Sequence, residues 1–268
     1  MRNQYKAEWY KFHHSKMPFI ILGVCISIIL ASFAFGNMTF FGAGDGITNS
    51  IGFQAKCYLS EETPTFISVA RSALAYTAFF WMIGVLFTAL FFTKEYSQGT
   101  IKLSVAYGMK RSILYYTKAI TIFVISFLTY FAFVAVFTIV ETMLSGYFLN
   151  THELIKLLGW TSLCGMVLIA LECITIFFCV LIPNTGIVTG ICFLYVFSGA
   201  SVYLMIWSEM EKAAIPMKIF IYGNPMFYWM NFSSCRTMGI VENLPFYIGG
   251  CILLLIIGSF VMNKKEIK

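Results

Sequence analysis

Long apolar runs separated by short polar segments dominate the chain. Six of these runs have about the length, roughly 20 residues, that a helix needs to cross the hydrocarbon core of a bilayer. The runs extend over residues 18–36, 67–92, 119–140, 157–182, 186–207 and 245–262. Only the turn sequence beginning at Pro183-Asn184 separates the fourth run from the fifth, which predicts a tight helical hairpin. The pattern predicts an all-α polytopic membrane protein with six transmembrane helices, folded as a single domain over residues 1–268.

The composition supports a membrane protein and excludes a soluble enzyme. Hydrophobic residues make up 59% of the chain and charged residues only 11%, whereas soluble domains have about 45–50% apolar and about 25% charged residues. Aromatic residues make up 18%, which suits side chains at a membrane interface.

The basic residues predict the orientation. The formal net charge is +6, but the Lys and Arg residues lie mainly in short segments beside the apolar runs rather than in a nucleic-acid-binding patch. Because cytoplasmic segments are enriched in Lys and Arg, both termini are predicted to be cytoplasmic. The bilayer is therefore the expected environment, and no nucleic-acid partner is expected.

Six of the eight cysteines lie inside apolar runs, where they are interpreted as small packing residues. Cys57 and Cys235 both fall in predicted outside segments, and a disulfide between them stays open. Because the chain has no CxxC pair and no Cys/His spacing of the zinc type, no metal site is predicted.

Residues 1–17 combine basic side chains with aromatic ones. Tyr5, Trp9 and Phe12 have the i, i+4, i+7 spacing of one helix face. This predicts an amphipathic helix lying in the inner membrane interface. The alternative is an ordinary basic tail that only sets the topology.

Residues 93–118 form the largest predicted cytoplasmic loop. The loop contains Glu95-Tyr96-Ser97-Gln98-Gly99-Thr100-Ile101-Lys102, then Gly108-Met109-Lys110-Arg111, and then Lys118. An acidic residue, Gly-Thr, and a later Arg and Lys after the second span resemble the permease subunits of type-2 ABC exporters. The chain looks most like small Gram-positive permeases that handle bacteriocins, lantibiotics, bacitracin-like peptides or secreted peptide toxins. Relatives often have Pro before the Arg, whereas this chain has Gly108-Met109-Lys110.

The resemblance implies that the chain forms the transport pathway while a separate cytoplasmic ABC ATPase subunit binds ATP and Mg. Consistent with this, the chain lacks the GxxxxGK[ST] loop that cradles phosphates, so we expect neither a cofactor nor an enzymatic activity in this chain. The resemblance also implies a dimer with a second permease copy or a paralogue. It assigns the coupling to the ATPase to five loop residues: Glu95, Gly99, Thr100, Lys102 and Arg111. The alternative for this loop is a solvated connector.

Glu172 lies near the middle of the fourth apolar run. An ionisable group at that depth costs about 2.5–3.5 kcal/mol on insertion scales and usually faces a bundle interior or a water-filled cavity. One interpretation is a pathway or gate residue that attracts a cationic peptide. The other is a protonated carboxyl that hydrogen-bonds to Ser126, Thr129 or a backbone carbonyl of a neighbouring helix.

Two predictions concern the segments on the outer side of the membrane. Arg71 begins the second span and is predicted to snorkel to the outer interface, with Glu61, Glu62 or Glu141 as candidate partners. Residues 208–244 form the longest outside segment, predicted as short interfacial or re-entrant helices broken at Asn224-Pro225. Its aromatic residues, among them Tyr222, Tyr228 and Trp229, are predicted to form an outer-leaflet belt. The alternative is an exit for an amphipathic substrate.

The leading functional hypothesis is the permease of an ATP-driven exporter of an amphipathic or antimicrobial peptide. An intramembrane protease is disfavoured, because Glu61-Glu62 would need an Arg at position 66, where this chain has Phe66. A non-transporting membrane scaffold or sensor partner stays as the alternative.

Overall fold

A computed structural model of the protein describes residues 2–35, 38–43, 50–55, 64–97, 105, 108–237 and 240–264. Helix α1 is Arg2–His13 and α2 is Met17–Phe35. A hairpin of β1 (Met38–Ala43) and β2 (Ile51–Ala55) follows. Then come α3 (Phe66–Ala75), α4 (Thr77–Ser97), α5 (Arg111–Ser145), α6 (Thr151–Leu181) and α7 (Thr185–Ile206). A 3₁₀ helix (Trp207–Lys212), α8 (Ile215–Tyr222), α9 (Pro225–Ser233) and α10 (Leu244–Lys264) complete the described chain.

Each of the six apolar runs is helical, which confirms an all-α polytopic protein. Five stretches of helix are long and apolar enough to cross a membrane: 66–93, 111–145, 151–181, 185–210 and 244–264. The sixth candidate is the pair of α1 and α2, which are bent by 54° relative to each other. The protein is therefore a multi-pass membrane protein. The cytoplasmic placement of both termini stays a prediction.

Local sequence signals set several helix ends. Asn184 begins α7, because its side chain accepts hydrogen bonds from the backbone N–H groups of Gly186 and Ile187 at 3.0 and 3.3 Å. This confirms the predicted hairpin between α6 and α7. Gly146 ends α5 in a left-handed conformation (φ 69°), which glycine adopts without steric cost.

Helix α6 lies at the centre of the bundle, packed against α4, α5, α9 and α10. Helix α2 makes its main contacts with α1 instead. The large apolar side chains of α2 are consequently exposed, among them Phe19 at 76% and Leu30 at 66%.

The antiparallel hairpin of β1 and β2 was not predicted. It pairs Met38 with Ala55 and Ala43 with Ile51, and it docks on the C-terminal end of α9. The backbone N–H of Gly52 donates to Ser234 Oγ at 2.9 Å, and the Gly52 carbonyl accepts from Ser233 Oγ at 3.1 Å. Gly52 has a φ of 115°, and a Cβ there would collide with the backbone of the facing strand.

The segment after α7 contains short helices with the predicted break before Pro225, where Asn224 caps α9 by accepting from Met226 N at 3.0 Å. The predicted aromatic belt is wrong for Tyr228 and Trp229, which are fully buried. Helix α9 lies inside the protein against α6, α7 and β2. The buried indole N–H of Trp229 is satisfied by the Cys164 carbonyl at 3.1 Å.

Candidate functional site

The predicted coupling residues flank the boundary between α4 and α5. Glu95 lies in the last turn of α4, whereas Gly99, Thr100 and Lys102 fall outside the described residues. Arg111 is the first residue of α5, and its Nη1 donates to the Asn263 carbonyl of α10 at 3.4 Å. The structure thus ties the end of this loop to α10, and the coupling role of these residues stays a prediction.

Gly108 precedes α5 with a φ of 82°. That backbone conformation is left-handed, and a side chain there would be strained. Where relatives often have a proline before the Arg, this chain therefore has a turn that favours glycine at position 108. The turn lies just before Lys110, the N-cap residue of α5.

A buried ion pair joins α1 to α5. Lys118 Nζ lies 3.3 Å from Glu8 Oε2, and the two side chains are only 1% and 4% exposed. Lys11 Nζ, on the outer side of the same carboxylate, lies 2.9 Å from Oε1. The Lys118 ammonium also lies over the ring of Phe91, 5.0 Å from its centroid, which is a cation–π contact.

Sequence reasoning missed this pair. Lys118 was identified only as part of the loop pattern, and Glu8 only as a residue of the N-terminal segment. Glu8 is the one acidic residue among the basic and aromatic residues 1–17. Such an isolated acidic residue was the available signal, but nothing in the sequence indicates a partner 110 positions away.

The aromatic face predicted for α1 is present. Successive ring centroids of Tyr5, Trp9 and Phe12 lie 6.4 and 6.3 Å apart. Phe12 is buried and meets Phe87 of α4 edge-to-face at 5.9 Å. Helix α1 is therefore held by an aromatic contact to α4 and an ion pair to α5.

Glu172 of α6 is completely buried, and neither carboxyl oxygen has a hydrogen-bond partner among the described residues. The Ser126 hydroxyl faces the carboxyl group but does not meet hydrogen-bond geometry. Thr129 donates to the Ile125 carbonyl in its own helix at 2.7 Å. Gly84 of α4 adjoins the carboxyl group, because a Cβ placed there would lie 3.4 Å from Glu172 Oε1.

A second buried carboxyl group belongs to Glu141, near the far end of α5. Its side chain is 1% exposed, and its oxygens also lack hydrogen-bond partners among the described residues. Glu141 faces Ser72 of α3. Two buried carboxyl groups, each facing a serine but without a hydrogen bond to any described residue, are thus held inside the bundle. From the sequence, Glu141 is only a candidate partner of Arg71.

The snorkelling prediction for Arg71 is wrong, because its side chain is only 3% exposed. The guanidinium group points toward the hairpin and donates from Nη2 to Ser50 Oγ at 3.1 Å and to Gln54 Oε1 at 3.2 Å. Of the candidate partners, Glu61 and Glu62 lie outside the described residues. Ser50, just before β2, and Gln54 within β2 therefore hold the guanidinium group inward.

A cleft of about 880 Å³ lies beside the 3₁₀ helix. Trp207, Lys212 and Arg236 are among its lining residues, and the Arg236 guanidinium group lies 6.0 Å from the Trp207 ring. Cys235 also lines the cleft, and burial raises the pKa of its thiol to about 12. Cys57 lies outside the described residues, so the disulfide stays an open prediction.

Within the described part of the chain, no group of three or more His, Cys, Asp or Glu residues could hold a metal ion. A family model described as ABC-2 family transporter protein matches residues 5–199. The match extends from α1 into α7 and includes Glu8, Lys118 and Glu172. No curated protein matches the chain.

Proposed function

The match over residues 5–199 makes this chain a member of the ABC-2 family of transporter proteins, and from that premise we propose an exporter of an amphipathic or antimicrobial peptide. The chain is the permease of an ABC transporter, and its family implies a partner ATPase. In our proposal, that cytoplasmic subunit binds ATP and Mg and hydrolyses the ATP, and the chain itself has no catalytic site. A second copy or a paralogue completes the pathway.

The loop between α4 and α5 is the proposed contact with the ATPase. Glu95, Gly99, Thr100, Lys102 and Arg111 would provide the contact surface, with charged side chains pairing across the interface. The observation that carries this proposal is the anchoring of the helix that follows the loop. Arg111 contacts α10, and Lys118, seven residues further along α5, is paired with α1.

This anchoring provides a mechanical route for coupling. A packed helix moves as a rigid element rather than deforming continuously. A displacement of the loop by the ATPase would therefore move the start of α5 and, through the Glu8–Lys118 pair, α1 as well. Because α1 leads directly into α2, the motion would reach a helix whose main contacts are with α1 itself.

Glu172 is the proposed pathway residue. It lies in the central helix α6, and its carboxyl oxygens accept no hydrogen bond from any described residue. Ionisable residues inside membranes commonly mark transport paths. A carboxyl group there suits a substrate that carries positive charge, as amphipathic antimicrobial peptides do. The direction of transport out of the cell is part of the proposal.

The test is co-purification with a candidate partner ATPase, followed by ATPase assays in lipid nanodiscs. Gly99→Pro and Lys102→Glu should dissociate or uncouple the complex, whereas Lys212→Glu, the same charge reversal on the exposed 3₁₀ helix, should have no effect. If no ATPase associates and both loop variants are silent, the loop is a connector and a membrane scaffold or sensor becomes the better hypothesis.

A further inference from the structure

A groove between α2 and α5 opens toward the lipid. Its volume is about 420 Å³, within the range of about 300–1,000 Å³ that is usual for small-molecule sites. Ile21, Cys25 and Ile29 line it on the α2 side, and Ala132 and Phe133 line it on the α5 side. We call it the lateral groove.

The lateral groove leads inward. Ile21 and Thr129, which line the groove, also line a crevice of about 20 Å³ deeper in the bundle. The inner walls of the crevice include Gly84, Ser126 and Leu168. A space of this size holds about one water molecule, since roughly 10–15 Å³ is the minimum for one.

The residues at the inner end of the crevice are those that surround Glu172. The Ser126 hydroxyl faces the carboxyl group. Gly84 packs closely on the same place, because a Cβ there would lie 3.1 Å from Leu168 Cδ1 and 3.4 Å from Glu172 Oε1. Glu172 itself lines neither the groove nor the crevice. Its buried carboxyl group lies behind Gly84 and Ser126, which form part of the inner wall of the crevice, and its oxygens have no hydrogen-bond partner among the described residues.

We propose that the lateral groove, the crevice and Glu172 form one binding site for an amphipathic primary amine that enters sideways from the bilayer. The apolar part of the ligand lies against α2 and α5, and its ammonium group pairs with Glu172. A primary ammonium group is close to water in size, whereas a quaternary ammonium is too large for the crevice. This inference rests on the proposed function and defines its substrate class: an apolar molecule bearing a lysine-type or terminal amine.

Charge complementarity favours this ligand over a second copy of the chain. A neighbouring protomer would cover the groove with apolar side chains and leave the Glu172 carboxyl group unpaired. Buried charged groups in membranes are paired or face a path. A ligand with an apolar chain and a small cationic end matches both ends of the site, because it covers the groove and pairs with the ionised form of the carboxyl group.

The experiment uses the full chain in nanodiscs and a photoreactive dodecylamine, with photoreactive dodecanol and a trimethylammonium analogue as comparison probes. Labelling by the amine should map to peptides of α2 and α5 and be displaced by unlabelled dodecylamine. Glu172→Gln should reduce it by about tenfold or more, as loss of one member of a buried charge pair does. Gly84→Ala should also reduce it, because the added methyl group narrows the crevice beside an intact Glu172.

The matched control is Glu141→Gln, which neutralises the other buried carboxyl group and should leave labelling unchanged. Thermal unfolding of each variant checks that the fold is kept. Equal labelling by amine and alcohol, or wild-type labelling of Glu172→Gln, would show that the groove holds ordinary lipid and would overturn the proposal. Photo-crosslinks from the groove to a second chain would also overturn it.

The same preparations separate this inference from the proposed function. If a partner ATPase associates but the amine labels without dependence on Glu172, only the binding site fails. If the amine binds as expected but no ATPase associates, the coupling proposal fails and the binding site stands.

Discussion

Removal of the Lys118 ammonium group tests the buried link between α1 and α5. Lys118→Met keeps most of the side-chain volume and removes the charge, which leaves Lys11 as the remaining partner of the Glu8 carboxylate among the described residues. Breaking a buried ion pair by removing one partner costs about 3–5 kcal/mol. Lys11, 2.9 Å from the carboxylate and 51% exposed, offsets part of that cost, so we expect a loss of about 2 kcal/mol.

The loss should be local, because α1 contacts mainly α5 and α2 and can detach while the rest of the bundle stays folded. The assay is hydrogen exchange of residues 2–13 by mass spectrometry in nanodiscs. A loss of about 2 kcal/mol corresponds to roughly 30-fold faster exchange of the most protected amides in α1, since each 1.4 kcal/mol is a factor of ten. Amides of α6, at the centre of the bundle, should exchange as in the wild type.

A double-mutant cycle isolates the pair. Glu8→Gln should also speed exchange, since it leaves the Lys118 ammonium group with the Phe91 ring as its remaining contact among those described above. The combined variant should be less damaging than the sum of the two single changes, because either single change already removes the interaction between the two charges. Lys11→Met, at the exposed end of the cluster, should change exchange little, since exposed pairs contribute only about 0–1 kcal/mol. Additive effects of Glu8→Gln and Lys118→Met would refute the reasoning.

Two further substitutions test the outer part of the fold, both measured as the thermal midpoint of monodisperse protein in detergent. Trp229→Ala should lower the free energy of unfolding by about 3–5 kcal/mol, as substitutions of large core aromatic residues do. Phe220→Ala, at a 40% exposed position, should be nearly neutral. Equal effects of the two substitutions would contradict the burial of α9. Gly52→Ala should destabilise the hairpin through its positive φ and the collision with the facing strand, whereas Gly249→Ala has open space and should not. A silent Gly52→Ala would mean that the hairpin does not dock as described.

The positions of the spanning helices were predictable from the sequence. Hydropathy and length alone locate α2, α5, α6, α7 and α10. A helix in lipid must form all of its backbone hydrogen bonds within itself and expose apolar side chains over the fixed thickness of the bilayer. The Asn184 hairpin was also predictable, because helix capping is a local interaction.

The burial of particular faces was not predictable. Tyr228 and Trp229 follow a pattern that suits a membrane interface as well as a protein core. Lipid tails are as apolar as leucine, so hydropathy does not separate a lipid-facing side chain from a packed one. The burial of α9 therefore follows only from the tertiary structure, in which α9 packs against α6, α7 and β2.

Glu172 and Glu8 show, for charged residues, the same difference between what the sequence determines and what the tertiary structure decides. The sequence determined that Glu172 lies deep in a membrane helix and that Glu8 is an acidic residue in a basic segment. Only the tertiary structure decided that the Glu172 carboxyl group has no hydrogen-bond partner in the part of the chain that the structure describes, and that Glu8 is paired with Lys118. A sequence shows that a charged residue lies in an apolar segment, where burying the charge is unfavourable. It does not show which partner stabilises that charge, because the partner lies on a helix that is distant in the chain and adjacent in space.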